Sequence, residues 1–117
     1  MDALIFKIAP TALWREAEAA GFFRGAPVDI EDGYIHFSTA GQVRETAAKY
    51  FASDGDLVLA AVVVATLQDI GLKLAWEPAR GGALFPHLYG ALPMAAVKWA
   101  KPLPLGANGH IFPDLDR

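Results

Sequence analysis

Apolar positions along the chain switch between two periods, and the switches mark the elements. "ALIFKI" (3–8) is apolar and β-branched, the composition of a strand. Pro10 and Thr11 then predict a helix start and Gly21 its end, the usual asymmetry of helix termini. Within that helix Leu13, Ala17 and Ala20 recur at helical spacing, while Arg15, Glu16 and Glu18 face water. Residues 22–33, "FFRGAPVDIEDG", hold Gly25, Pro27 and an Asp32-Gly33 turn, and read as a loop. "YIHFS" (34–38) alternates: Ile35 and Phe37 point one way, Tyr34, His36 and Ser38 the other. Thr39 to Gln42 fits the T-x-x-Q capping box, in which both side chains satisfy free amides at a helix start. Val43, Ala47, Tyr50 and Phe51 continue as an apolar stripe to about Ala52.

"DLVLAAVVVA" (56–65) is almost continuously apolar, as a strand covered on both faces should be. A short buried helix has the same look, but Val62 to Val64 and the flanking turn residues favour the strand. Residues 66–70 read as a loop or single helical turn, Gly71 punctuates, and "LKLAW" (72–76) is a further strand. The stretch 77–93 is loop-rich, and "AAVKWAKPL" (95–103) is the last clear strand, with Val97 and Trp99 on one face. From Gly106 the tail is rich in turns, with Ile111 and Phe112 as its anchor and His110 exposed to solvent. Helices early and strands late predict an α+β fold rather than a doubly wound parallel sheet. No internal repeat or linker divides the chain, so residues 1–117 are expected to form one domain.

Composition narrows the functional classes. The chain has 117 residues, 54% hydrophobic and 20% charged, which suits one compact core. Cysteine is absent, excluding disulfides, thiolate metal sites and cysteine nucleophiles. A formal charge of −3 without any Lys/Arg run argues against nucleic acid as a partner. Neither a signal-like N-terminus nor an apolar run of about 18 residues occurs, so a soluble, cytoplasmic, bacterial-style protein without membrane contact is expected. The sequence also lacks G-x-G-x-x-G, the P-loop and the G-x-S-x-G elbow.

What stands out instead is polar residues where apolar ones belong. Tyr34, His36 and Ser38 share one strand face beside a helix start, a wall with amides free for an anionic group. In "WEPARGGALFPHLYG" (76–90), Glu77 sits at a strand end, Arg80 lies in a flexible turn, and His87 and Tyr89 are two apart and so share a face. Pro86 and Gly90 shape "LFPHLYG" into a rim or lid over that wall. Glu77, His36 and His87 make a candidate acid–base group, imidazole titrating near neutrality. The ligand-binding candidates are Tyr34, Ser38, Thr39, Gln42, Phe85 and Tyr89. Two histidines and a carboxylate also suit a metal, but the spacing is unlike H-E-x-x-H and no metal is assigned.

"DGYIHFSTAGQVRETAAKYF", "WE" at 76–77 and "FPHLYG" together resemble the uncharacterised bacterial family known as domain of unknown function 952. Its proteins are similar in fold to the ADP-ribosyltransferases, whose split mixed β-sheet forms a cleft for NAD. The resemblance implies an α+β domain with a split mixed sheet and two early helices, and NAD or a related nucleotide as the small-molecule ligand. It puts Glu77 in the place of the transferases' catalytic glutamate, an aromatic such as Tyr34, Tyr50 or Phe85 against the nicotinamide, and Ser38 on its amide. In the register set by "IFKIAPTALWREAEAAGFF", however, Lys7 replaces the histidine that grips the nicotinamide ribose, and Ile8 and Ala9 replace the following glycine and threonine. "YIHFST" offers a second register, which the helix after it disfavours. An enzyme acting on such a nucleotide and a non-catalytic module binding a small metabolite both remain open, as does the oligomeric state.

Overall fold

The most apolar run of the sequence becomes the centre of the fold. The computed structural model describes residues 3–116. In order the elements are β1 (Leu4–Pro10), α1 (Thr11–Ala20), β2 (Phe22–Phe23), α2 (Pro27–Asp32), β3 (Ile35–His36), α3 (Val43–Tyr50) and β4 (Leu57–Val63). There follow α4 (Val64–Asp69), β5 (Lys73–Pro78), β6 (Leu84–Tyr89), β7 (Leu92–Pro93), a 3₁₀ turn (Met94–Ala96), β8 (Val97–Leu103), β9 (Leu105–Gly106) and β10 (Gly109–His110).

β4 lies between β1 and β8, and both pairings are antiparallel. Its alternate residues enter two cores. Val58, Ala60 and Val62 meet Ile5, Trp14 and Phe23 on one face, while Leu57, Leu59 and Ala61 meet Phe6, Val43 and Leu103 on the other. That double burial is why the run lacks polar positions. A second three-stranded sheet, β3-β6-β5, is also antiparallel and sends Ile35 and Leu88 into the first core. Among the described residues one bridge joins the two sheets: Phe6 N–H donates to the Ser38 carbonyl at 2.7 Å, and Ser38 N–H donates to the Phe6 carbonyl at 2.9 Å.

Three expectations need correction. Every strand pairing among the described residues is antiparallel, so the sheet is split but not mixed. Four α-helices form rather than two. α2 lies inside the expected loop at 22–33, with Pro27 at its first position and Gly33 closing it in the left-handed region at φ 87°. α4 begins where β4 ends, because Val64 and Leu67 sit three apart and bury the same face. Finally, residues 84–89 are a strand and not a lid. Pro86 is tolerated there because β3 is ending beside it: Phe37 N–H donates to the Pro86 carbonyl at 2.9 Å, and the pairing stops. No described helix is long and apolar enough to cross a membrane.

Candidate functional site

Register decides which side chains meet on the outer face of β3-β6-β5. His36 pairs with His87, which pairs with Ala75; Ile35, Leu88 and Leu74 form the next row and point to the core. Alternation then places His36, His87, Tyr89 and Glu77 on the face opposite the core. Ala75 presents only a methyl group opposite His87, so the diagonal neighbour Glu77 reaches over it. Glu77 Oε1 lies 2.7 Å from His87 Nδ1, and the Tyr89 hydroxyl donates to the same oxygen at 2.7 Å. Those two bonds, Tyr89's first, hold the Glu77 carboxyl below the usual carboxylate range. The same contact pushes the Tyr89 phenol up.

Tyr34 covers the histidine. Its ring stacks on His87 with centroids 4.1 Å apart and an interplanar angle of 28°, and it lies 4.6 Å from His36 and 5.4 Å from Tyr89. His36 and His87 meet edge to face at 5.4 Å. His87 is 8% exposed. No described residue bonds its Nε2, and that atom is absent from the buried polar atoms lacking a partner, which among the described residues are the indole nitrogens of Trp14 and Trp99. Nε2 therefore opens to solvent.

The other histidine is held from behind by an ion pair. Asp29, only 1% exposed, accepts from His36 Nδ1 at 2.6 Å and from the His36 backbone N–H at 3.0 Å. Lys7 Nζ lies 2.9 Å from Asp29 Oδ2 and donates to the His36 carbonyl at 3.1 Å. Asp29 also accepts from the Ala26 N–H at 2.7 Å, and Asp32 Oδ2 stands 3.0 Å from His36 Nε2. Burial by itself would raise the Asp29 carboxyl, but the His36 ring and the Lys7 charge pull it down to about 2. For Lys7, burial outweighs the attraction of Asp29 and pushes the ammonium below its ordinary value. Gly25 makes this seat possible: at φ 118° a Cβ would stand 2.8 Å from Asp29 Cβ.

Of the residues singled out in the sequence, Tyr34, His36, Glu77, His87 and Tyr89 come together. Phe85 shares their face as the partner of Glu77, half-buried and without ring stacking on the cluster among the described residues. Ser38 has left it. β3 ends at His36, the chain turns to bridge β1, and the buried Ser38 hydroxyl bonds that of Thr46 at 3.0 Å. Thr39 and Gln42 are structural: Gln42 Oε1 accepts the Thr39 N–H at 3.0 Å, and Gln42 Nε2 donates to the Leu84 carbonyl at 2.8 Å. Only this half of the expected capping box forms, since no side chain caps α3, which starts at Val43. His110, expected in solvent, is half-buried with Nε2 2.6 Å from the Asp54 carbonyl.

Asp29 and Asp32 went unrecognised in the sequence. The available signal was Pro27 and Gly33 bracketing a six-residue helix, which puts Asp29 at its third position, facing the free amides.

Chemically, the face offers a carboxylate–imidazole pair with one open ring nitrogen, an aromatic cover and a second, doubly held histidine. Among the described residues no group of three or more His, Cys, Asp or Glu side chains is arranged to hold a metal ion. The cluster lies on an open sheet face; a concave region of about 460 Å³ lies elsewhere, lined in part by Arg44, Asn108, His110 and Phe112.

The chain is similar to protein CC0527 from Caulobacter crescentus. The crystal structure of that protein shares 46% identity with it at a TM-score of 0.83, over 92% of this chain and 91% of that one. Its solution structure matches at 45% identity and a TM-score of 0.80, over 92% and 90%. No curated protein matches. A family model covers residues 8–100, and with it the chain belongs to the family described as protein of unknown function (DUF952).

Proposed function

We propose that the protein is an acid–base enzyme acting on a small molecule at the outer face of β3-β6-β5, with His87 as the group that moves the proton. The carrying observation is the 2.7 Å contact between Glu77 Oε1 and His87 Nδ1 beside an unpartnered Nε2. With Nδ1–H donated to the carboxylate, the proton sits on the inner nitrogen and the lone pair of Nε2 faces the solvent side, the tautomer a general base requires. Glu77 orients the ring and stabilises the imidazolium formed when Nε2 takes a proton. The Tyr89 hydroxyl holds Glu77 in place, and Tyr34 keeps one face of the imidazole dry. His36, fixed between Asp29 and Asp32, supplies a second polar ring for the ligand to meet.

Reactivity of the nitrogen is testable before any substrate is known. Diethyl pyrocarbonate acylates an accessible, unprotonated imidazole nitrogen. Peptide mass spectrometry of the folded protein should find His87 modified, and Glu77→Gln should alter its rate. A His87 that stays unmodified until the chain is unfolded sinks the proposal. On a panel of esters, phosphodiesters and NAD, any turnover should then fall by about 10²-fold or more in His87→Gln.

An ADP-ribosyltransferase-like reaction on NAD has less support. The position of the ribose-gripping histidine is Lys7, whose ammonium is engaged with Asp29. Ser38, the residue expected on the nicotinamide amide, bonds Thr46 instead. A small-metabolite binding module without catalysis is the outcome if ligands bind while His87→Gln leaves every conversion unchanged.

A further inference from the structure

The two edges of β3-β6-β5 are treated differently. In β3, the N–H and C=O of His36 point away from the sheet and are both taken, by the Asp29 carboxylate and the Lys7 ammonium. That edge is closed. β5 is the other edge, and none of its residues is buried. Since Phe37 bonds the Pro86 carbonyl, the even-numbered residues of β6 turn their backbone groups to β3, and Phe85, His87 and Tyr89 turn theirs to β5. Their partners Glu77, Ala75 and Lys73 therefore bond inward. The N–H and C=O groups of Leu74 and Trp76 face outward, and the Leu72 N–H, next along that edge, is already taken by the Leu67 carbonyl.

What this short open edge fits best is itself. "KLAWE" (73–77) is complementary to its own reverse about Ala75. In an antiparallel pair of two copies centred there, Leu74 of one copy lies opposite Trp76 of the other. These are the residues whose outward groups have no partner among the described residues, so four backbone hydrogen bonds form without altering the pairing to β6. Lys73 then falls opposite Glu77 at a non-hydrogen-bonded position, where side chains approach most closely, and this happens twice. On the other face each Trp76, 38% exposed, covers a half-buried Leu74. The outer edge of β8 has no such property. It carries Lys98, Lys101 and Pro102 and no acid, so pairing with itself would oppose lysines and meet a missing N–H.

We propose that two copies of the chain join through β5 into a continuous six-stranded antiparallel sheet, β3-β6-β5-β5-β6-β3, centred on Ala75. The twofold axis stands perpendicular to the sheet, so both Glu77–His87 pairs lie on the same face. Each receives Lys73 of the other copy beside its carboxylate. The dimer does not depend on whether His87 performs chemistry, so the two proposals fail separately.

Sedimentation velocity over a concentration series into the millimolar range tests it. The unaltered chain should move from one chain mass to two. Lys73→Glu, at an exposed position, should keep the circular dichroism of the folded chain and weaken association by about tenfold, because two attractive pairs become repulsive. The exchange Lys73→Glu with Glu77→Lys should restore association, which only this register explains. Trp76→Pro, which removes an outward N–H and none of the bonds to β6, should leave a monomer throughout. A chain that is monomeric at every concentration overturns the proposal, as does a dimer indifferent to Trp76→Pro or a charge exchange that fails to restore association.

Discussion

In the sheet β1-β4-β8, residues 57–62 of the central strand are buried on both faces. In β3-β6-β5 only one face is: Ile35 and Leu88 enter the core, while His36, His87, Tyr89 and Glu77 line the other side. The first sheet is stabilised by removal of apolar surface from water, and few of its positions have chemistry to offer. The second needs a directional device to be held against it, because its outer face contributes little apolar burial. That device is the Lys7–Asp29 pair, reaching from β1 through α2 to the backbone of His36. One sheet thus supplies the stability on which the other displays its polar groups.

The contrast can be broken most forcefully at the device. Asp29→Ala leaves the Lys7 ammonium buried without its counter-charge and frees the His36 N–H, and should cost about 3–5 kcal/mol in urea unfolding. Leu59→Ala, in the fully apolar sheet, should cost about 2–5 kcal/mol through the cavity it leaves, yet keep the reactivity of His87. Acid gives a third test. The Asp29 carboxyl ionises at about 2 in the folded chain against an ordinary 3.8. Below pH 3.8 the unfolded chain takes up that proton first, so stability is lost as pH falls towards 2, by about 2 kcal/mol from this group. Urea midpoints measured between pH 5 and pH 2 should show this loss, continuing below the ordinary carboxylate value of 3.8. Smallest is Tyr89→Phe, which should leave the unfolding midpoint almost unmoved. In that variant the Glu77 carboxyl should rise towards its ordinary range, read by carbon NMR of its side chain during an acid titration.

The apolar sheet was legible because one pattern runs through each of its strands: "LIFKI", "LVLAAVV" and "VKWAKPL" lie in β1, β4 and β8. On the polar sheet the two-residue spacing of Tyr34 with His36, and of His87 with Tyr89, was equally readable, and the structure brings these four rings together. Carrying the same alternation on to Ser38 failed because β3 stops after two residues. β6 was hidden by Pro86, which ordinarily argues against a strand and here sits where β3 ends, so that its missing N–H forfeits one return bond to Phe37 at the limit of the pairing. α2 is too short for a helical period to show. No local pattern could reveal that Asp29 folds back on Lys7, twenty-two positions earlier, since an ion pair between distant residues leaves no periodicity.

The bridge between Phe6 and Ser38 has a kinetic consequence. Each amide hydrogen is held by the carbonyl of the other residue, so neither exchanges with deuterated solvent unless the join between the sheets opens. These two protons therefore act as a clock for the separation of the apolar and polar halves. A ligand that clamps the polar face to its support will slow that clock at Phe6 and Ser38 together, although neither residue touches it.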